Sequence, residues 1–307
     1  MLLHGIHKDD DAAVVRMPDG RLLASTVDVF TPVVDDPYRF GAIGAANSLS
    51  DIYAMGAVPR FALSVLGYPP KLFSPAMPAA VLQGAMDKAW EAGIPLAGGH
   101  SLRTSEVIFG LAVVGDFPSG RILEKGGARP ADLLILTKPL GIGVLTTALK
   151  RGLLDADTIE RITLSMSTLN DKASLAAVEA EATACTDVTG FGLLGHLLEM
   201  ARASGCIATV ESASVPFMPH ATQHAERGVL PGGSLANLEF VRPSVEFSPS
   251  VLHETQVLLA DAQTSGGLLI ALPPERLATF QSACNRLGQE HWVIGCFEAG
   301  SAGIRVR

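Results

Sequence analysis

Acidic side chains interrupt four otherwise apolar segments of this chain, and they are the residues best suited to chemistry. These residues are Asp11, Asp28, Asp51 and Asp187. Burying a carboxylate costs free energy unless the group is paired or holds a cation. If three of them converged to about 4 Å, each like-charge pair would cost roughly 4 kcal/mol at an effective dielectric constant of roughly 20, so divalent cations would be needed. Carboxylates near glycine-rich backbone amides suggest Mg²⁺ that carries phosphates.

One predicted strand and the helix after it position two of these carboxylates. Residues 22–30 are mostly apolar or β-branched, which predicts a strand with Asp28 inside it. A helical pattern follows, in which Asn47 and Asp51 stand four residues apart and therefore share one face. Gly56 is expected to end this helix. Each of the two elements thus carries an acidic residue within an apolar segment.

A glycine pair follows the apolar residues 94–97. Gly98 and Gly99 precede His100 and Ser101, and we expect a turn whose backbone amides can cradle phosphate. Most Gly-Gly pairs are simple turns, so the motif by itself leaves both interpretations open.

A second glycine-rich motif begins at Asp187. The residues after it, Val-Thr-Gly-Phe-Gly, lead into a predicted helix that ends near Ala203. Free N–H groups and the helix dipole at such an N-terminus favour phosphate. The alternative is an N-capping aspartate followed by glycines that serve packing. We expect His196 to lie in the core or on the helix surface and not to be a ligand.

The composition is that of a globular protein of 307 residues, 48% hydrophobic and with a net charge of −8. This charge argues against nucleic acid or an anionic membrane as a partner, whereas ATP can still bind through Mg²⁺ and backbone amides. The four cysteines show no CxxC pair and are expected to be reduced thiols of a cytoplasmic protein. The sequence has no run of 18 or more uncharged apolar residues, so no membrane span is predicted.

Strands and helices alternate along the chain, which predicts an α/β or α+β protein of two domains, 1–117 and 118–307. Residues 12–30 are predicted to form a β-hairpin, and 291–307 two further strands. A dinucleotide-binding fingerprint is excluded because Thr146 replaces its third glycine, and no phosphate-binding GxxxxGK[ST] loop is present.

Several longer strings carry a resemblance. In order, they are DDAAV, TVDVFTPVVDDPYRFG, NSLSDIYAMG, AGGHS, TKPLGIGVLTTA, TDVTGFGLLGHLLEM, PGG and DAQTSGGLL. The chain resembles, over nearly its whole length, the selenophosphate synthetases (selenide, water dikinases) of the aminoimidazole ribonucleotide synthetase superfamily. The resemblance implies an N-terminal α/β domain whose sheet forms a barrel at a homodimer interface, then a C-terminal α/β domain. It also implies conversion of ATP, selenide and water to selenophosphate, AMP and orthophosphate.

The resemblance also implies site residues, motif by motif. The magnesium ligands would be Asp11, Asp51 and Asp187. The nucleotide contacts would be Asp10, Asp28, Asp51, Gly99, His100 and Ser101, with the last three reaching ATP from the partner subunit. The implied mechanism is electrostatic, because Mg²⁺ neutralises the triphosphate while water and selenide attack phosphorus.

The chain departs from the family pattern in two places. In the family a glycine-rich segment with a reactive Cys or selenocysteine and a Lys precedes DDAAV, whereas Met1 stands only ten residues before Asp11. We therefore assign no catalytic residue, and expect either a start further upstream or a shortened paralogue that binds Mg-ATP without selenide chemistry. Ser234 replaces the threonine of the family's GGT and keeps its hydroxyl. A kinase acting on thiamine monophosphate or an aminoimidazole precursor is a third interpretation, which the DDPY, AMG and TDVTGFGLLGH strings disfavour.

Overall fold

The computed structural model describes residues 1–8 and 10–307 and divides into two compact units. The first unit consists of Met1–Ile122 together with Thr163–Asp171. The second consists of Leu123–Ile162 and Lys172–Arg307. Asp9, the first of three successive aspartates, lies outside the described residues.

The first unit is a six-stranded sheet with two long helices. Its strands are β1 (Leu2–His4), β2 (Ala13–Arg16), β3 (Leu22–Phe30), β4 (Val58–Tyr68), β5 (Leu96–Arg103) and β6 (Ile108–Asp116), and its helices are α1 (Pro37–Ala54) and α2 (Ala76–Glu91). The strand order is β1-β2-β3-β6-β4-β5. The predicted hairpin is confirmed, since β2 and β3 pair in antiparallel register. α1 packs against β3, β6 and α2.

Local chemistry explains where α1 begins and ends. The Asp36 side chain accepts a hydrogen bond from the Arg39 backbone N–H at 2.8 Å, and Pro37 follows at the first helical position. At the other end Gly56 takes a φ of +72°, which favours glycine. Nearly every residue of α1 from Phe40 to Ala54 is buried, so the helix forms the centre of this unit.

A side-chain hydrogen bond holds the segment Thr163–Asp171 within the first unit. The Asn170 side chain is buried and donates a hydrogen bond to the Ser50 hydroxyl of α1 at 2.9 Å. Met166 and Leu169 are buried as well. Residues 156–179 form two helices, and the break between them at 168–170 contains this anchor.

The second unit is a seven-stranded mixed sheet with eight α-helices among the residues that the structure describes. Its strands are β7 (Leu133–Leu136), β8 (Ala184–Asp187), β9 (Cys206–Val210), β10 (Val245–Phe247), β11 (Leu268–Leu272), β12 (Trp292–Ala299) and β13 (Gly303–Val306). Its helices are α3 (Ile142–Lys150), α4 (Ala156–Ser167), α5 (Asp171–Glu179), α6 (Gly192–Ser204), α7 (Ala221–Glu226), α8 (Gly232–Val241), α9 (His253–Leu259) and α10 (Leu277–Leu287), of which α4 and α5 share residues with the first unit.

The sheet of the second unit has the order β10-β13-β9-β12-β7-β11-β8. The two predicted C-terminal strands are confirmed, but both pair with β9 and not with each other. β7 and β8 flank β11, each antiparallel to it, so their carboxyl ends lie at the same edge of the sheet. The core of this unit includes leucine side chains of α6, β7 and β11. No helix formed by residues 1–8 and 10–307 is long and apolar enough to cross a membrane.

Candidate functional site

Two of the predicted acidic residues lie between β3 and α1, where each meets a polar side chain of the other element. The Thr26 hydroxyl of β3 donates to the Asp51 carboxylate of α1 at 2.5 Å. The second hydrogen bond runs from the helix to the strand, since the Asn47 carboxamide of α1 donates to the Asp28 carboxylate of β3. We call these four residues the β3–α1 polar cluster.

Backbone geometry explains why the β3–α1 polar cluster forms. Two residues along a strand span about 6.7 Å, and four residues along a helix rise about 6 Å. When the helix lies along the strand, the spacing between Thr26 and Asp28 therefore nearly equals that between Asp51 and Asn47, and each strand residue faces one helix residue. The Ser48 hydroxyl adds a further link, since it donates to the Asp28 carbonyl oxygen at 3.0 Å and accepts from the β6 backbone N–H of Leu111 at 2.9 Å.

Burial makes the charge on Asp28 costly. Loss of solvent raises the pKa of Asp28 above its ordinary value, and the hydrogen bond from Asn47 only partly opposes this effect. A cation or a group carrying one would lower the cost of the charged form. This is the electrostatic property that the sequence led us to expect of a metal and nucleotide site.

Asp10 and Asp11 lie between β1 and β2. The Asp10 carboxylate accepts a hydrogen bond from the His4 imidazole Nδ1 at 2.6 Å, and both side chains are more than nine-tenths buried. Asp11 follows directly and is half-buried just before β2. The pair thus fixes the backbone that presents Asp11.

The glycine pair has a different setting from the predicted turn. Gly98, Gly99, His100 and Ser101 lie within strand β5, so the expectation of a turn was wrong. Ser64 of β4 pairs with Gly99, and a Cβ on Gly99 would lie 2.6 Å from the Ser64 backbone nitrogen and closer still to its carbonyl oxygen. The glycine is therefore needed for strand pairing.

β5 is the edge strand of its sheet, paired on one side with β4, and its residues from Ala97 to Arg103 are exposed. The backbone N–H and C=O groups of its other edge are not used within this sheet. They are available to a ligand or to another chain.

Asp187 belongs to the second unit. It is the last residue of β8 and is buried. The next residue, Val188, donates its backbone N–H to the Gly267 carbonyl oxygen at 2.9 Å, and α6 then begins at Gly192 with a φ of +67°. The carboxylate thus stands at a strand end, directly before a glycine turn and a helix N-terminus, as predicted.

His196 follows the same turn on α6 and is buried, as expected of a core histidine. Its Nε2 atom lies 3.2 Å from the Thr189 hydroxyl oxygen. Burial lowers the pKa of His196 to about 3, and the nearby Lys125 charge acts in the same direction. The imidazole is therefore neutral near pH 7.

The predicted residues occupy three places in the first unit and one in the second. Asp28 and Asp51 share the β3–α1 polar cluster, Asp10 and Asp11 precede β2, and Gly99–Ser101 form the β5 edge. Within residues 1–8 and 10–307 no group of three or more His, Cys, Asp or Glu side chains is arranged to hold a metal ion alone. Mg²⁺ is usually held by one or two carboxylates together with substrate phosphates. The oxygen donors present fit that mode, and joint binding by Asp11, Asp51 and Asp187 stays a prediction.

Sequence reasoning missed two residues that orient the acidic groups, Thr26 and His4. A signal for Thr26 existed, because a polar residue two positions before Asp28 shares its face of the strand. His4 carried no such signal, since its contact with Asp10 depends on how β1 packs.

Two family models match this chain. The N-terminal domain of the AIR synthase related proteins matches residues 9–117, and their C-terminal domain matches residues 129–306. Relatives named selenide, water dikinase are 49% identical over 305 residues in Carboxydothermus hydrogenoformans and 45% identical over 289 residues in Pelobacter propionicus. The chain belongs to the selenide, water dikinase family. These alignments cover 99% and 94% of this chain, and 88% and 83% of the two dikinases.

Solved structures confirm the two-domain fold expected of the family. A thiamine-monophosphate kinase from Stenotrophomonas maltophilia superposes with a TM-score of 0.74 at 22% identity, covering 99% of this chain and 90% of the kinase. The hydrogenase maturation protein HypE in complex with ATP gives a TM-score of 0.73 at 18% identity, covering 92% and 81% of the two chains. At such identities the likeness concerns the fold alone.

Proposed function

We propose that this chain is an ATP-dependent phosphotransferase that makes selenophosphate from ATP, selenide and water, with AMP and orthophosphate as the other products. The observation that carries the proposal is the β3–α1 polar cluster, in which Thr26 and Asn47 orient the carboxylates of Asp51 and Asp28. It occurs in a chain 49% identical to a selenide, water dikinase over 305 residues. The HypE structure in complex with ATP supports nucleotide binding by this fold.

The proposed roles follow the motifs. Asp11, Asp51 and Asp187 hold Mg²⁺, while Asp10, Asp28, Asp51, Gly99, His100 and Ser101 contact ATP. When bound, Mg²⁺ neutralises charge on the triphosphate. The Thr26 hydroxyl directs one Asp51 oxygen, and the His4 imidazole holds Asp10 beside Asp11. These hydrogen bonds orient the acidic groups before substrate arrives, which lowers the cost of reorganisation.

We further propose that the protein is a homodimer joined through the sheet of the first unit. Val27 of β3 and Leu63 of β4 both stand opposite Ala112 of β6, so they share one face of the sheet. They are 63% and 41% exposed, and Val29 and Phe61 are exposed beside them. Contiguous apolar surface of this kind marks a protein interface.

Sedimentation velocity tests this interface. Leu63→Glu should convert a dimer into a monomer, because a charge would be buried at the centre of the apolar face. Trp90→Ser is the matched control, since Trp90 is an apolar residue on α2 that is 83% exposed. Dimers that persist in Leu63→Glu, or a wild type that sediments as a monomer, would refute the interface.

The cytoplasm is the proposed compartment. The four cysteines are consistent with a reducing environment. The net charge of −8 supports small-molecule substrates over nucleic acid or a membrane as the binding partner.

Phosphorus NMR under anaerobic conditions tests the reaction itself. With Mg-ATP and selenide we expect a selenophosphate signal, AMP and orthophosphate, and no selenophosphate when selenide is omitted. Asp187→Ala should abolish all three products while leaving the far-ultraviolet circular dichroism unchanged. ATP that stays intact, or is hydrolysed at the same rate without selenide, would contradict the proposal.

A further inference from the structure

The PGGS motif begins α8, and the first two turns of this helix present two polar side chains to the segment before β11. Ser234 and Asn237 stand three residues apart and therefore share one face of this helix. The Ser234 hydroxyl is fully buried and donates to the Asp261 carboxylate at 2.6 Å. This contact explains why a residue that replaces threonine here keeps its hydroxyl.

Asp261 connects three motifs of the second unit, which are TKPLGIGVLTTA, PGGS and its own DAQTSGGLL. Its carboxylate also accepts from the backbone N–H groups of Gly143 and Val144 at 2.8 and 3.2 Å, and from the Gln263 carboxamide at 3.0 Å. It therefore holds the N-terminus of α3, the start of α8 and its own loop in one arrangement. α8 is anchored at Ser234 as a result.

Asn237 extends from this anchored helix to the turn after Asp187. Its carboxamide nitrogen donates to the Gly190 carbonyl oxygen at 2.8 Å and to the Ala260 carbonyl oxygen at 3.1 Å. Both partners can only accept, so the orientation of the carboxamide is determined.

The 260–267 segment contacts the same turn. The Gln263 backbone N–H donates to the Thr189 carbonyl oxygen at 3.0 Å, beside the bond between Val188 and Gly267 at 2.9 Å. Three successive residues after Asp187 are thus held by hydrogen bonds from outside the turn.

We propose that Asn237 is a positioning residue, which fixes the Gly190 turn from α8 and thereby directs the Asp187 carboxylate for binding of Mg-ATP. The inference rests on the proposed function. Its chemistry is indirect, since Asn237 donates to backbone carbonyl groups and the carboxylate supplies the oxygen ligand. Without Asn237 the Gly190 carbonyl group would lose its hydrogen bond to α8, and this part of the turn would sample more conformations because glycine restricts its backbone little.

The test measures the Mg²⁺ dependence of binding of a non-hydrolysable ATP analogue by calorimetry. Asn237→Ala should raise the Mg²⁺ concentration for half-maximal binding roughly tenfold, as expected when two hydrogen bonds that preorganise a ligand are lost. Glu239→Ala on the same helix is the matched control, since this exposed side chain makes a surface ion pair with Arg242. The control should titrate like the wild type.

The possible outcomes distinguish failure of the inference from failure of the proposed function. If the wild type shows no Mg²⁺-dependent binding, both proposals fail. If Asp187→Ala abolishes binding but Asn237→Ala titrates like the wild type, the positioning role alone is refuted. Asn237→Leu, which fills the same space without a donor, replaces the alanine variant should that one not fold, and the same shift is expected. A lowered melting temperature with an unchanged Mg²⁺ midpoint would indicate a purely structural residue.

Discussion

Replacing Asp261 by asparagine should change how the stability of the second unit depends on pH. Asp261 is fully buried, and loss of solvent raises its pKa from 3.8 to about 6 despite hydrogen bonds from Ser234, Val144, Gln263 and Gly143. Asparagine has the same shape. Its carboxamide oxygen can accept from the same backbone N–H groups, and its nitrogen can face the Ser234 hydroxyl oxygen. The substitution therefore removes the ionisation and keeps most contacts.

The sign of the effect follows from proton linkage. Because the folded pKa is higher than the unfolded one, the folded protein binds the proton more tightly. The contribution of Asp261 to the free energy of unfolding is greatest below pH 3.8 and is lost as the pH rises to about 6. At about 1.4 kcal/mol for each pKa unit the whole loss is about 3 kcal/mol, of which about 2 kcal/mol falls between roughly pH 4.5 and 7.5. Asparagine does not titrate there.

Tryptophan fluorescence can isolate the unit that contains Asp261. The chain has two tryptophans, and Trp292 packs against the core of the second unit whereas Trp90 is exposed on α2. Urea unfolding in a Trp90→Phe background should therefore report on the second unit. We expect the stability difference between wild type and Asp261→Asn to shift by about 2 kcal/mol in favour of the variant between roughly pH 4.5 and 7.5.

Asp157→Asn is the control for this measurement, since Asp157 is an exposed aspartate of α4 in the same unit. Because an exposed ion pair contributes at most about 1 kcal/mol, this variant should not reproduce the shift of about 2 kcal/mol. Parallel profiles for wild type and Asp261→Asn would refute the reasoning, because Asp261 would then titrate alike in the folded and unfolded chains.

Two further substitutions test the first unit. Asp51→Asn should weaken binding of Mg-ATP by more than about tenfold in calorimetry. The fold should stay intact, because the Thr26 hydroxyl can still donate to the carboxamide oxygen. Unchanged affinity would show that Asp51 is not a metal ligand. Gly99→Val should destabilise the unit by about 1–3 kcal/mol and weaken ATP binding, because its side chain would collide with Ser64. Ala97→Val on the same exposed strand is its control, and equal ATP affinity in both variants would contradict a nucleotide role for β5.

Local patterns accounted for the elements that carry the predicted site. Apolar and β-branched residues predicted β3, and Gly56 predicted the end of α1. The i, i+4 spacing of Asn47 and Asp51 and the placement of Asp187 before a helix N-terminus needed no tertiary information, because each depends on residues within one or two turns of chain. The motif strings led to the family, which 40–49% identity to the selenide, water dikinases confirms.

Contacts between distant segments decided the rest. The sequence indicated a carboxylate on β3 and another on α1, but only packing paired Thr26 with Asp51 across 25 residues of chain. It also suggested a turn at Gly98 and Gly99, whereas pairing with β4 makes this segment a strand. It predicted the two C-terminal strands, but only the structure shows that both pair with β9. Asn237 likewise reaches Gly190 over 47 residues. Composition and periodicity describe a residue's own element, whereas strand order and hydrogen-bond partners depend on which elements bury their apolar faces together.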